Sequence, residues 1–594
     1  MKSDEKTIDE VLKAFEDSVS PFEEHEISTA ISEIDKALIE SNLEEEFKSK
    51  SETLAFGFSG NPSTENSWGT YYAPRAIFQD EGGNLVEAPS IKSVTPKILE
   101  YWQKRAKESN NPFMKSRYAD LVWDFTQKVT GMSPNYIFAQ IVVDSSLELI
   151  TRNRYVHEVN GIKKLKRALS VALSINDESR ITSVRDRMIK FEDSIAKDSK
   201  PGLWGFCFDE LLDNKNIPLS AGQKEKIITE IEKRLERTTR GETLDAHAAE
   251  IAAVRLAKYY RKWNQVEDFK RVLRQYGQAV IKNIEKIEPM AGSAWVEQLY
   301  ALYIEYGMRD DANNLTTLIR ELGEKAVKGM KTISGEFSIS KDEMEEYLST
   351  LTEGELIDVL TRIAWHFLPD SEDVKQQVID LSTESPLTSF IPFTLVDWEG
   401  RPVAKIGPLE QDLEGRIVNQ TAQNISFSSV FLRATIKKTM DKFAPSLEDI
   451  TNYFFLSPIF SETYREIISI GLEAYLSGKH IISAHILIPQ IENGIRQLLK
   501  LSAGPIYKQG RNGALYLRNL DELLRDENIV TILGEKVSNY LRTLLTDQRG
   551  WNLRNDVCHS TIHPDKFSWT MTDRILHALL LLAQVREKSK EGQE

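Results

Sequence analysis

The feature that most constrains the fold is a helical pattern that repeats along residues 136–370. Apolar residues recur there at the spacing of one helix face, and short turns rich in Asn, Asp and Gly interrupt them. Several apolar pairs recur 46 residues apart, among them Leu256 with Leu302, Tyr260 with Tyr306, Phe269 with Leu315 and Val272 with Leu318. A helix, a short turn and a second helix, repeated, are typical of an α-solenoid. Ordinary antiparallel helices with chance spacing are the alternative.

The pattern divides the chain into four regions and predicts an all-α fold class. Residues 1–135 form an acidic N-terminal region of helices and Gly-rich loops, and residues 136–370 form the array, which resembles tetratricopeptide-like helical hairpins with a longer period. Residues 371–424 form a junction, where two β-rich runs around Glu399-Gly400 predict a small hairpin. Residues 425–594 alternate helices with short connections, which predicts a helical bundle. The array side chains Tyr259, Tyr260 and Trp263 are expected in its core.

Charge and composition exclude several classes of protein. Lys and Arg total 75 against 90 Asp and Glu, a net charge of −15, so any nucleic acid must bind at a local basic patch. The sequence has no run of about 18 apolar residues, and its polar start is unlike a signal peptide. Cys207 and Cys558 cannot form a disulfide framework or a cysteine zinc site. We therefore expect a cytoplasmic protein, away from membranes, with no metal and no cofactor.

One short segment combines residue types that can carry chemistry, Arg554-Asn555-Asp556-Val557-Cys558-His559. At about 100° per residue, Asn555 and His559 share one helix face, while Leu553 and Val557 share another. The guanidinium of Arg554 can hold a phosphate through two hydrogen bonds, and an imidazole can move protons near neutral pH. These groups suffice for RNA cleavage by the 2′-hydroxyl: one takes the hydroxyl proton, one stabilises the phosphorane, and one protonates the leaving oxygen.

This segment resembles the HEPN superfamily, whose signature is an Arg followed four to six residues later by His. More narrowly, GWNLRNDVCH is similar to the RNxxxH motif of family 4209 of the domains of unknown function, of the long bacterial type. The upstream helix LIPQIENGIRQLL matches that family's Glu and Arg one turn apart. Ser560 stands where members often have Gly, and Thr561 stands where small toxins of the superfamily carry a regulatory Tyr.

The resemblance implies a C-terminal helical bundle that forms a homodimer and brings two motifs into one cleft. It implies a metal-independent endoribonuclease, an effector of anti-phage defence or a toxin-like stress system, although some members of the superfamily only bind. Carried over to this chain, Arg554 and His559 are catalytic, and Asn555 orients them or contacts phosphate. Cys558 beside His559 is expected to be a small buried residue rather than a reactive thiol.

Two further groups of polar residues are candidates for supporting roles. Glu492 and Arg496, four residues apart, are either a structural ion pair or a support beside the cleft. No acid occurs between Asn493 and Asn519, so this run is either an RNA-binding patch or an ordinary solvated loop. The basic residues of the run are Lys500, Lys508, Arg511 and Arg518, after Arg496.

Two functions from different classes follow. The first is the HEPN-type endoribonuclease, with RNA as substrate and the array as the part that senses or recruits. The second is a non-catalytic interaction protein, whose array binds a protein partner and whose bundle dimerises or binds RNA. The trio Arg554, Asn555 and His559 favours the nuclease, because packing alone does not require it. The net charge of −15 favours the interaction protein.

Overall fold

The protein is described from a computed structural model that covers residues 7–34, 43–60, 68–80, 84–240, 244–331, 338–510 and 513–587. Helices account for 70% of it and strands for 5%, which confirms the all-α class. The chain forms two compact units: residues 1–287 with 298–312, and residues 288–297 with 313–594. No helix among the described residues is long and apolar enough to cross a bilayer.

The N-terminal part of the first unit mixes helices with short strands. Its elements are α1 (Ile8–Glu16), α2 (Glu24–Ser32), α3 (Leu43–Gly57), β1 (Ser59–Gly60), β2 (Tyr72–Ala73), β3 (Ala76–Gln79), β4 (Leu85–Ala88), α4 (Pro96–Glu108) and α5 (Pro112–Thr130). Strand β1 pairs with β2 and strand β3 with β4, both antiparallel. Local signals set the helix ends: Thr7 and Glu10 form a capping box before α1, and Gly131 ends α5 in the left-handed conformation.

From residue 136 to residue 284 the first unit is helical, and its consecutive helices pack against one another. The helices are α6 (Tyr136–Thr151), α7 (Glu158–Ser174), α8 (Glu178–Ile195), α9 (Phe206–Leu211), α10 (Ala221–Thr238), α11 (Ala246–Lys262) and α12 (Val266–Ile284). They are followed by α13 (Pro289–Glu305) and α14 (Arg309–Gly329), each of which has residues in both units. The aromatic residues of α11 are less buried than predicted, because Trp263 is 61% exposed and Tyr259 and Tyr260 are only partly buried.

The positions of the turns between these helices differ from the predicted spacing of 46 residues. Asn264 and Gly307 both have positive φ, at 56° and 71°, and each stands two residues before a helix. They are 43 residues apart, as are the starts of α12 and α14, Val266 and Arg309. The predicted spacing of 46 is three residues too long. Three residues are nearly one helical turn, so the wrong offset still pairs apolar residues with apolar residues.

The second unit is built from helices of 5 to 31 residues packed around two central ones. Its elements are α15 (Lys341–Leu351), α16 (Leu356–His366), α17 (Ser371–Glu384), α18 (Pro386–Phe390), β5 (Phe393–Val396), β6 (Pro402–Ile406), α19 (Leu413–Phe443), α20 (Leu447–Phe454), α21 (Arg465–Leu476), α22 (His480–Leu501), β7 (Tyr507–Gln509), β8 (Leu515–Leu517), α23 (Leu520–Leu524), α24 (Glu527–Leu533), α25 (Glu535–Leu545), α26 (Leu553–Cys558) and α27 (Trp569–Leu582). Strands β5 and β6 form the hairpin predicted around Glu399-Gly400, and β7 pairs with β8.

The core of this unit lies on α22 and α27. Ile488, Ile491 and Ile495 of α22 and Ile575, Leu579 and Leu582 of α27 are completely buried. The same core includes residues of α15 and α16, from Leu351 onward. The predicted domain boundary at residue 425 falls inside α19, and the core extends on both sides of that boundary.

The last helix also buries polar side chains, which fix its position. The Arg574 guanidinium donates to the hydroxyls of Ser428 and Ser429, at 2.6 and 2.8 Å, and to the Ile425 carbonyl at 2.8 Å. His577 accepts from the Tyr540 hydroxyl at Nδ1 and donates to the Ala364 carbonyl from Nε2. These bonds tie α27 to α16, α19 and α25 because a buried polar group without a partner is costly.

Candidate active site

The helix that carries the Arg–His motif is α26, and its sequence pattern explains how it is anchored. Leu553 and Val557 are buried, at 4% and 1% exposure, in the core of the second unit. Asn552 before the helix and Ser560 after it both have positive φ, so the chain turns sharply at either end. The predicted division into an apolar face and a polar edge is therefore what the structure has.

The turn before α26 is fixed by close contact with α25. A Cβ at Gly550 would lie 2.2 Å from the Thr543 carbonyl oxygen, so only glycine fits at this position. The Trp551 amide donates to that carbonyl at 2.8 Å. The Trp551 indole donates to the Ala422 carbonyl and the Ser426 hydroxyl, both at 3.2 Å. These bonds place α26 firmly against α19 and α25.

Glu492 of α22 links the two arginines singled out from the sequence. Arg554 Nε donates to Glu492 Oε2 at 3.1 Å, and Arg496 Nη2 donates to Glu492 Oε1 at 2.6 Å. The side chains of Glu492 and Arg496 are each 15% exposed and that of Arg554 is 25% exposed. The carboxylate therefore bridges two guanidiniums: Glu492 and Arg496 form an ion pair that contacts Arg554 of the motif, and neither of them is among the described residues that line the open cleft at His559.

The Asn555 amide is fully used in holding this arrangement. Its Oδ1 accepts from Arg554 Nη1 at 3.3 Å, and its Nδ2 donates to Asn552 Oδ1 at 2.7 Å and to the Thr546 carbonyl at 3.3 Å. Both sides of the amide are occupied, so Asn555 orients Arg554 and ties it to the preceding turn.

His559 differs from these residues because its imidazole is exposed. Its backbone amide caps α26 by donating to the Asn555 carbonyl at 2.9 Å. Within the described part of the chain its ring makes no hydrogen bond and no ion pair. Together with Asn555 and Asp556, it lines an open cleft of about 1010 Å³, which we call the motif cleft. Arg554 is not among the described residues that line this cleft.

The opposite wall of the motif cleft comes from the β5–β6 hairpin. Trp398 at its tip is 51% exposed and donates from Nε1 to the Thr561 carbonyl at 2.8 Å. Its ring lies edge-on to the His563 imidazole, with centroids 5.1 Å apart. The hairpin therefore closes one side of the cleft and presents an aromatic surface on which a base can stack.

Asp556 is a candidate that the sequence analysis did not single out. It lines the motif cleft, and burial raises the pKa of its carboxyl above the usual value, against the hydrogen bonds from Thr561 and Asn552. A carboxyl group with a raised pKa beside an exposed imidazole is a candidate for proton transfer. The sequence feature that could have identified Asp556 as a candidate is its position inside the Arg–His motif.

The basic run is not brought to the motif cleft. Lys500 is exposed at the end of α22, and Lys508 of β7 pairs with Glu522 at 2.5 Å. Arg518 is held by Asp526 at 2.5 Å and by the carbonyls of Pro505 and Glu522. None of these three lines the cleft, and Arg511 lies outside the described residues. Lys508 and Arg518 must each release an acidic neighbour before binding phosphate.

Cys558 and the histidines complete the site. Cys558 is exposed, so the prediction that it is buried is wrong; it follows buried Val557 on α26 and so faces away from the core. His563 lies within reach of Asp565, at 3.5 Å. In the part of the chain that the structure describes, no three His, Cys, Asp or Glu side chains form a cluster suited to a metal ion.

Comparison of the chain with protein-family models, with curated proteins and with solved structures finds no match.

Proposed function

We propose that the protein is a HEPN-type, metal-independent endoribonuclease. One observation carries the proposal: an exposed, unpartnered His559 imidazole stands at an open cleft, one helical turn from an Asn555–Arg554 pair held in place by Glu492. Packing and stability do not require an imidazole without partners beside a guanidinium this firmly oriented. The choice of reaction, RNA cleavage, rests on the resemblance of the motif to the HEPN signature.

The reaction uses the substrate's own 2′-hydroxyl. Its oxygen attacks the adjacent phosphorus, the bond from phosphorus to the 5′ oxygen breaks, and the products end in a 2′,3′-cyclic phosphate and a 5′-hydroxyl. His559 takes the hydroxyl proton or returns one to the leaving oxygen. Arg554 stabilises the phosphorane charge, and its Nη2 has no hydrogen-bond partner in the described part of the chain. Asp556 is the second candidate for proton transfer.

The bundle and the array have proposed roles in this function. We expect the second unit to form a homodimer, because in the resembled superfamily a single Arg–His pair is half of a composite site. The helices of residues 136–370 act as a solenoid-like surface that receives a protein partner or a trigger. The protein is then an effector of anti-phage defence or stress that acts on cytoplasmic RNA. Size-exclusion chromatography with light scattering tests the dimer, and a strictly monomeric protein contradicts the composite site.

Cleavage of a mixed RNA substrate by the full-length protein tests the activity. We expect cleavage in excess EDTA, with DNA and 2′-O-methyl RNA resistant. His559→Ala should lower the rate by about 10²–10⁴-fold, and Arg554→Ala by about 10²–10³-fold. His485→Ala is the matched control, because His485 is exposed in the same unit and is not among the described residues that line the motif cleft. Cleavage that survives both motif variants, or that requires Mg²⁺, would show that the catalytic site lies elsewhere in the protein.

The alternative is a non-catalytic interaction protein, and one contact favours it. Arg554 already forms an ion pair with Glu492, which reduces the charge available to a phosphate. Expression in cells separates the two functions. A nuclease restrained by the array helices that precede residue 307 should arrest growth when residues 307–594 are expressed alone, and His559→Ala should relieve the arrest. An interaction protein should leave growth unchanged in both forms.

A further inference from the structure

The first unit contains a partly open cavity of about 270 Å³ that the nuclease does not use. Its walls come from the start of α2, the segment after α3, the β2 region, α5, the segment after α6, and α7. Its volume is just below the range of about 300–1,000 Å³ typical of small-molecule sites. We call it the N-terminal cavity.

Cations outnumber acids around the N-terminal cavity. Its lining includes six Lys and Arg side chains, Arg75, Arg117, Arg154, Lys163, Lys164 and Arg167, and three acidic ones, Glu23, Glu24 and Asp120. The whole chain has a net charge of −15, so this excess of positive charge runs against the composition. A concentration of one charge in a concave site focuses the electrostatic field on a ligand of opposite charge.

Two of the arginines are part of the framework. Arg117 pairs with Glu24 at 3.0 Å and donates to the carbonyls of Ala55 and Phe58, both at 2.6 Å. Arg167 pairs with Asp120 at 2.7 Å. These guanidiniums are neutralised and held rigidly, so they shape the cavity and leave the remaining cations to meet a ligand.

Lys164 is the cation that the protein leaves unsatisfied. In the described part of the chain its ammonium makes no hydrogen bond and has no carboxylate within 4.0 Å, and it stands 5.2 Å from the centroid of the Phe113 ring. Burial lowers the pKa of this ammonium below its usual value, in spite of the attraction of Glu24. Lys163 and Arg75, which are both exposed, also line the cavity without an ion-pair partner among the described residues. A desolvated cation without a counter-charge is costly to stability, and an anionic ligand removes that cost.

We propose that the N-terminal cavity binds the phosphate group of a small phosphorylated molecule. Three cations without partners, Lys163, Lys164 and Arg75, suit a dianionic phosphate better than a single carboxylate. Aromatic side chains of the same cavity, among them Phe22 and Tyr155, provide apolar surface for the organic part of the molecule. The site is independent of the motif cleft and does not rest on nuclease activity.

Calorimetric titration of the full-length protein tests this site, with AMP, ribose 5-phosphate and inorganic phosphate as probes and adenosine as the neutral control. We expect the phosphorylated probes to bind and adenosine not to bind. Lys164→Met should weaken AMP binding at least about tenfold, the loss of roughly one charged contact. Lys190→Met, at an exposed lysine of α8 outside the cavity, should bind as the unmodified protein does. His559→Ala should also bind normally.

Thermal unfolding separates loss of the site from loss of the fold. Without ligand, Lys164→Met should keep or raise the unfolding temperature, because a partly buried charge without a counter-charge is removed. The increase in unfolding temperature that AMP gives the unmodified protein should disappear in this variant. Lys163→Met is the second variant, should Lys164→Met fail to fold. The proposal is overturned if no phosphorylated probe binds, if adenosine binds as well as AMP, or if neither lysine variant weakens binding.

Discussion

At the scale of the residue, Glu492 has the largest influence on the candidate active site, because one carboxylate holds both Arg554 and Arg496. Glu492→Gln leaves two partly buried guanidiniums without a counter-charge. We expect this to lower the free energy of unfolding by about 1–3 kcal/mol and to reduce RNA cleavage by releasing Arg554 from its orientation. Denaturant unfolding and the cleavage assay measure the two effects.

Glu473→Gln is the control for this prediction, because Glu473 is an exposed glutamate of α21 without an ion-pair partner among the described residues. It should change neither quantity. A Glu492→Gln protein with unchanged stability and full cleavage would show that the bridge is dispensable and that Arg554 is positioned by Asn555 alone.

His577 makes the stability of the second unit depend on pH. Burial lowers the pKa of its imidazole from 6.5 to about 3, so the folded protein keeps it neutral. The unfolded chain binds a proton near pH 6.5, so the stabilising contribution is complete above that pH and is lost as the pH falls from 6.5 towards 3. As the pH falls from 7.5 to 5.5, the free energy of unfolding should decrease by about 1.4 kcal/mol because of this histidine.

Unfolding measured at several pH values tests this effect. In His577→Gln that component of the pH dependence should vanish, since glutamine does not titrate in this range. His485→Gln, at an exposed histidine, should keep it. Equal pH dependence in the unmodified protein and in His577→Gln would mean that other groups cause the loss at low pH.

At the scale of the element, the β5–β6 hairpin depends on glycine at a close backbone approach to α14. A Cβ at Gly323 would lie 2.4 Å from the Gly400 carbonyl oxygen, and Gly400 itself has a φ of +83°. Gly323→Ala should therefore push the hairpin away from α14, disturb the wall that Trp398 gives the motif cleft, and cost about 1–3 kcal/mol.

Gly329→Ala is the matched control for the hairpin, because Gly329 lies on the same helix and a Cβ there would meet nothing within 4 Å. It should leave stability unchanged or raise it by up to about 1 kcal/mol. Thermal unfolding of the two variants measures the difference. Equal unfolding temperatures would show that the hairpin adjusts without strain.

At the scale of the whole molecule, the core of the second unit decides where the chain can be cut. That core includes Leu351, Ile363 and Phe367 together with α22 and α27, and Arg574 and His577 bond to the Phe367 and Ala364 carbonyls. A fragment of residues 307–594 should unfold cooperatively. A fragment of residues 425–594 removes part of α19 and these partners, so it should be aggregated or unfold at a much lower temperature, as circular dichroism would show.

Local features of the chain were predictable because they depend on neighbouring residues. The anchoring of Leu553 and Val557, the shared face of Asn555 and His559, and the hairpin at Glu399-Gly400 all follow from helix periodicity and turn chemistry. The all-α class follows from the same patterns summed along the chain. The repeat length could not be predicted from these patterns, because an offset of 43 or 46 residues leaves apolar residues on nearly the same helix face.

Contacts between distant residues were decided only by the tertiary structure. Arg554 turns to Glu492, 62 residues away, rather than back towards His559, and Trp398 reaches the Thr561 carbonyl across 163 residues. The N-terminal cavity likewise gathers its cations from separate elements of the first unit. Periodicity places a side chain on a face of its own helix, whereas the partner of that side chain is set by how the helices pack, which the sequence pattern of a single element does not contain.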